Sequence, residues 1–253
     1  MSEPIDLLLF AHLVRKPDNE VDLERAALLV AESEYPGLDM AAYVAKLDGF
    51  GQLARQRLRA AGLDPRGPGV SPADCMPVLL TLMYQDLHFR GNVNDYYDPR
   101  NSFLNDVIDR RTGIPITLAI VLLAICRRAG VEAQGLSFPG HFLVRAPRAI
   151  GEPLYVDPFD GRPLEPAQLQ ALYESATGAP GAIEERFLEP AQRHQIVARM
   201  LNNLRAIYEI RGDRIRLQRV LERMTVVSPS DEVRSRLDLL VRTNDCAPRV
   251  SIN

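Results

Sequence analysis

Tryptophan is absent from this 253-residue sequence, aromatic residues make up only 6% of it, and its three cysteines stand far apart. Sparse aromatics argue against a platform of stacked rings for single-stranded nucleic acid. Cys75, Cys126 and Cys246 are odd in number and show no Cys-x-x-Cys spacing, which speaks against a disulfide or zinc framework and fits a reducing compartment. No charge-free apolar run reaches the roughly 18 residues of a membrane span. The longest such stretch, Ile114 to Cys126, reads as a buried helix. The opening MSEPIDLLLFAHLVRKPDNE has no basic stretch before its short apolar run, unlike a signal peptide. A cytoplasmic protein with no membrane partner is expected. Charge of neither sign dominates: the net charge is −3 with both signs interspersed. That argues against a broad basic face and a nucleic-acid partner, a local patch aside. Neither a phosphate loop nor a dinucleotide fingerprint occurs, and no cofactor is expected.

What is there is an ordinary globular balance, 46% hydrophobic and 25% charged, in a chain long enough for one or two domains. Leu23, Ala26, Ala27, Val30 and Ala31 mark one face of a helix over Asp22 to Glu34, and a second helix is expected over Met40 to Ala61. The Pro/Gly-rich stretch Asp64 to Pro72 reads as a loop, Pro77 to Phe89 as a helix, and Arg90 to Phe103 as an ordered loop. A buried helix follows, with Thr112 able to cap it, Pro115 suited to its first turn, and Arg127, Arg128 and Gly130 suited to its end. Val131 to Phe138, His141 to Ala146 and Pro153 to Asp157 are short and β-prone. One long helix followed by short antiparallel strands is an α+β pattern. Helices resume at Pro166. Leu204, Tyr208, Gly212, Leu217, Leu221, Met224 and Pro229 fall where a tetratricopeptide repeat places its packing residues, turn and closing proline, and a further helix runs from Asp231 to Arg242. A plain helical hairpin has the same consequence: one repeat cannot bury its own face and must pack on the rest of the chain.

His141 and Asp157 sit on adjacent expected strands, where their side chains share a face. A carboxylate there fixes the imidazole tautomer, which is the second half of a nucleophile–base–orienter site. A structural His-Asp pair satisfies the same pattern. Addition of Asp160 makes three potential metal ligands, but the spacing is poor for zinc, and no metal is expected.

The run GIPITLAIVLLAICRRAGVEAQG, followed by HFLVR and LYVDP, resembles the core of the transglutaminase-like superfamily. The segments YYDPRNSFLNDVIDRRTGIPITLA, GLSFPGHFLVR, YVDPFDG and RMLNNLRAIYEIRGD are similar to its bacterial SirB-type subgroup, which joins that core to a C-terminal tetratricopeptide segment. The resemblance implies a papain-type core with a buried helix against a small antiparallel sheet, N-terminal helices beside it, and a tetratricopeptide-like hairpin after it. The implied division is 1–65, 66–165 and 166–253. It also implies a Cys-His-Asp site. Ala119, Arg127 and Gly130 match the superfamily's spacing after its nucleophilic Cys, and they place that Cys at Pro115, which has no nucleophilic atom. Cys126 lies roughly 16 Å further along a helix, and nothing in the spacing brings Cys75 to the site. Thr117 is the nearest hydroxyl, either a nucleophile or a cap.

The same block leaves further candidates. Asn105, Asp109, Arg110 and Arg111 either form a network that holds the preceding loop or, if exposed, bind a carboxylate or phosphate. Phe138 and Phe159 either wall the His-Asp pocket or belong to the core. Three functions compete: a non-catalytic protein that binds a peptide or protein partner through the retained groove; an amide-bond hydrolase or acyl transferase that uses His141 and Asp157 with Thr117 or water; and a structural or regulatory module acting through the C-terminal helices.

Overall fold

The structure is a computed structural model that describes residues 5–245; Cys246 lies outside the described residues. Helices α1 (Ile5–Val14), α2 (Leu23–Glu32) and α3 (Met40–Ala60) come first, then α4 (Pro72–Leu80), which continues as π-helix over Thr81–Asp86. Strand β1 (Arg90–Gly91), α5 (Leu104–Arg110), β2 (Thr112–Gly113) and α6 (Pro115–Ala129) form the middle. Strands β3 (Gln134–Leu136), β4 (Leu143–Ala146), β5 (Leu154–Asp157) and β6 (Arg162–Leu164) follow, and then α7 (Pro166–Thr177), α8 (Arg193–Arg211), α9 (Arg214–Val227) and α10 (Asp231–Asp245). Among the described residues no helix is long and apolar enough to cross a membrane.

The chain divides into two compact units, residues 1–38 with 193–253, and residues 39–192. Helix α3 packs on α6 inside the second unit, and α7 docks there too, beside β6.

In the first unit, Asp18 caps α8, accepting the backbone N–H groups of Arg193 and His194 at 3.1 and 3.0 Å and meeting His194 Nδ1 at 2.6 Å. Burial opposes ionisation of Asp18, but these N–H groups and His194 outweigh it and hold the carboxyl below its usual range. Helices α8 and α9 turn at Gly212 (φ +66°), and Asp213 caps α9 by accepting the N–H of Arg216 at 3.1 Å. Leu204, Tyr208, Leu217, Leu221 and Met224 are buried, whereas Gly212 and Pro229 are exposed.

The second unit is built round α6. Nearly every side chain of this helix is buried, and it lies against α3, α4, α5, β3 and β4. The sheet is antiparallel in the order β3-β4-β5-β6, with Leu136 opposite Leu143, Val144 opposite Val156, and Tyr155 opposite Leu164. Side chains alternate between its faces. Leu136, Leu143 and Leu164 pack with Leu169 and Tyr173 of α7. The strands are shorter than their β-prone runs suggested. Two features had no sequence signal: strand β6, and the short parallel pair β1–β2, with Arg90 opposite Thr112. Thr112 is part of that pair and does not cap α6; its hydroxyl donates to Arg110 O at 3.1 Å, and Ile114 is the capping residue.

Close approach of α3 to α6 depends on Gly51. A Cβ there would overlap the Cβ and Cδ of Arg128, and the first of these atoms is fixed to the α6 backbone. Gly51→Ala is therefore expected to destabilise the protein by about 1–3 kcal/mol, despite alanine's better helix propensity. Urea denaturation monitored by circular dichroism measures this directly.

Candidate functional site

A tight turn presents His141. Gly140 takes φ +64°, the N–H of His141 donates to Phe138 O at 3.2 Å, and the imidazole emerges two residues before β4, not within the strand as expected. Asp157 ends β5. Its Oδ1 lies 2.9 Å from His141 Nε2 and accepts the N–H of Phe159 at 2.8 Å. The two side chains are 20% and 6% exposed, so the ring reaches solvent while the carboxylate does not. Burial disfavours the charged carboxylate, yet the hydrogen bond and charge of His141 and the N–H groups of Phe159 and Asp160 outweigh it and lower its pKa. A carboxylate on Nε2 favours the tautomer that carries its proton there. Among the described residues no group of three His, Cys, Asp or Glu side chains is arranged to hold a metal.

Among the described residues no thiol hydrogen-bonds this ring. Pro115 is the first residue of α6 and is buried. Cys75 and Cys126 are 0% and 1% exposed, and Cys126 Sγ lies 4.0 Å from Met76 Sδ. Burial, reinforced by Cys75, pushes Cys126 up to about 12, and burial likewise raises Cys75. At both sulfurs burial disfavours the thiolate that nucleophilic attack requires. Thr117 is not the substitute either. It is fully buried; its hydroxyl donates to Asn101 O at 2.7 Å and accepts the Ile114 N–H at 3.2 Å, closing the start of α6 and pinning the preceding loop.

The other candidates separate. Arg111 stands in the left-handed region (φ +56°), with its guanidinium 4.5 and 4.8 Å from the Phe50 and Phe89 ring centres, a packing role. Asp109 instead bonds Tyr43 and Lys46, at 2.6 and 2.5 Å. Asn105 is buried. Arg110 Nη2 reaches Asp98 at 3.3 Å, and its Nη1 is buried with no hydrogen-bond partner among the described residues. The four do not form one network. Phe138 is wholly buried against Tyr173 in the core rather than on a pocket wall. Phe159 is half-buried. Its ring covers Gly91, where a Cβ would come within 2.6 Å, and its carbonyl accepts the Gly91 N–H at 3.2 Å. Gly91 lines a cavity of about 540 Å³ together with Arg90, Asn92, Asn94, Arg110 and Thr112. Asp157, Phe159 and Gly91 thus link the imidazole to a cationic hollow. Arg90 and Asn92 escaped notice in the sequence because a loop without periodicity does not say which side chains converge.

Residues 41–202 match the family model described as transglutaminase-like superfamily. The chain belongs to the transglutaminase-like superfamily. The matched region nearly coincides with the second unit and is wider than the expected core of 66–165. Among curated relatives, UPF0162 proteins from two strains of Xylella fastidiosa are 36% identical over 212 residues (82% of this chain, 72% of that protein) and 34% identical over 236 residues (91% and 80%). F-box only protein 21 of Homo sapiens is 39% identical over 85 residues, 31% of this chain and 14% of that protein. No solved structure matches. In this transglutaminase-like protein the helix start that the superfamily resemblance assigns to a cysteine is proline.

Two outcomes follow from the geometry. Thr117→Val strands the Ile114 N–H and the Asn101 carbonyl and is expected to cost about 1–3 kcal/mol of stability in chemical denaturation. The depressed pKa of Asp157 gives stability that is complete above the unfolded carboxylate value of about 3.9 and is lost as pH falls through the lower folded value. Unfolding midpoints measured on acidification should therefore fall less steeply for Asp157→Asn than for the natural protein.

Proposed function

We propose that this transglutaminase-like protein is a binding module that holds a peptide or protein segment in a former active-site groove and forms no covalent intermediate. The observation that carries the proposal is an imidazole oriented by a buried carboxylate, at 2.9 Å, in a unit whose two described thiols are buried, with burial raising the pKa of each. Acyl transfer by this superfamily resemblance requires a thiolate, and Pro115 has none to give.

The surroundings suit a peptide. Val93, Tyr96 and Tyr97 are 76%, 43% and 61% exposed on the loop beside the cavity, and the Tyr96 ring lies 6.1 Å from that of Phe159. Apolar side chains next to Arg90 and Arg110 favour a segment that carries a hydrophobic residue beside an acidic one. In this reading the core is papain-type, of the SirB-type subgroup, the α8–α9 pair is a tetratricopeptide-like docking element, and the protein works in the cytoplasm, where its thiols stay reduced.

A second reading keeps a hydrolytic step. His141 Nδ1 has no hydrogen-bond partner among the described residues, and the ring is partly open to solvent, so water replaces the missing thiol as nucleophile. Thr117 is no longer part of it.

Peptide-array binding and hydrolysis of an unfolded casein separate the two. The natural protein is expected to bind peptides and hydrolyse nothing. His141→Ala should weaken binding about tenfold, the loss of one good hydrogen bond. Casein hydrolysis that disappears in His141→Ala would refute the binding-module proposal.

A further inference from the structure

A second hollow of about 470 Å³ lies in the same unit, where α3 ends, the following loop turns, and α6 ends. Five arginines line it, Arg55, Arg59, Arg66, Arg127 and Arg128, against one carboxylate, Asp64. Such crowding of one sign is unusual in a chain whose net charge is −3. Like charges gathered in a concave wall repel one another and focus a positive potential into the space between them.

Support of helix ends accounts for part of the cluster. Cations in the last turn of a helix face its partial negative charge, and Arg59, Arg127 and Arg128 are so placed. Arg128 is committed further: its side chain is 8% exposed, Nε bonds Asp48 at 2.6 Å, and Nη1 bonds Ala124 O at 3.3 Å. Arg55 is held by the carbonyl of Arg128 at 2.5 Å. These two form a fixed frame. Arg59 and Arg66 do not fit the same explanation. Neither guanidinium makes a hydrogen bond or ion pair among the described residues, and Arg66 stands on the loop, outside any helix. The Asp64–Gly67 turn aims Arg66 back across the end of α6: its Nε would lie 3.8 Å from a Cβ on Gly130, a residue at φ +80°. The site is thus two braced arginines, with two uncommitted ones at its rim.

We propose that this hollow binds linked phosphate groups, either as a free oligophosphate or carried on a nucleoside. Guanidinium forks match phosphate oxygens in pairs. Several of them converging on one concave space suit a compact anion of charge greater than one, and the volume lies in the range of small-ligand sites. A single carboxylate would leave most of the positive excess uncompensated. The site is separate from the His141 groove, and the proposal stands whichever function that groove has.

The test is calorimetric titration of the full chain at low and at physiological salt with sodium orthophosphate, tripolyphosphate, adenosine triphosphate and a single-stranded dodecanucleotide. Tripolyphosphate is expected to bind saturably and at least about tenfold more tightly than orthophosphate, since each further charge-assisted contact contributes about a factor of ten. Tighter binding of adenosine triphosphate than of tripolyphosphate identifies the nucleoside-borne source, and the reverse order the free one. Arg59→Gln and Arg66→Gln should each weaken binding about tenfold, and because both side chains are exposed the urea midpoint should not move. Failure of tripolyphosphate and adenosine triphosphate to saturate, affinity unchanged in the double variant, or binding of the dodecanucleotide alone would each overturn the proposal.

Discussion

A helix buried on nearly every side leaves no room for an unpaired polar group at its ends, and α6 imposes that constraint on its neighbours. Its first turn is closed by the Thr117 hydroxyl, which ties Ile114 to the Asn101 carbonyl. Gly113 must lack a side chain, because a Cβ would come within 2.8 Å of Thr117 Oγ1. Its last turn ends in the left-handed Gly130, with the Arg128 stem laid over Gly51. The loop before the helix, the short pair β1–β2 and the packing of α3 all follow from satisfying this one element.

The same constraint explains the state of the site. Thr117 serves structure, so its proton is directed to a carbonyl rather than to the imidazole. Pro115 costs nothing at the first helical position, where no N–H is required. The His-Asp pair keeps its geometry because Asp157 is also fastened by the Phe159 N–H, and Phe159 in turn grips Gly91. A carboxylate bound at both ends of a short turn keeps its place whether or not a nucleophile faces it.

The fold was legible where sequence periodicity is local. The limits of α2, α3 and α6, the Gly212 turn and the pairing of His141 with Asp157 could be named, because caps, prolines and glycines act within a few residues. Spacing alone cannot tell an N-terminal capping hydroxyl from one in a strand, so Thr112 reads as a cap although it lies in β2. Arg110 and Arg111 were grouped because they are adjacent, yet the left-handed turn at Arg111 sends one guanidinium to Asp98 and the other between two phenylalanine rings. The arginines of the second hollow come from two distant stretches, 55–66 and 127–128, and no pattern along the chain announces that convergence. The make-up of the two units is not legible along the chain for the same reason: α3 belongs with α6, some fifty residues or more away, as α1 and α2 belong with the last helices.

That last pairing has a consequence for synthesis. The unit containing α1 and α2 is completed only by residues that follow position 192, so a nascent chain carries two apolar helices without their partners while the whole intervening unit emerges. Residues 39–192 have every partner they need as soon as they are made and can settle first. The early helices must wait for the ribosome to deliver α8 to α10, and until then Phe10, Val14 and Leu28, buried in the finished protein, lack the surface that covers them.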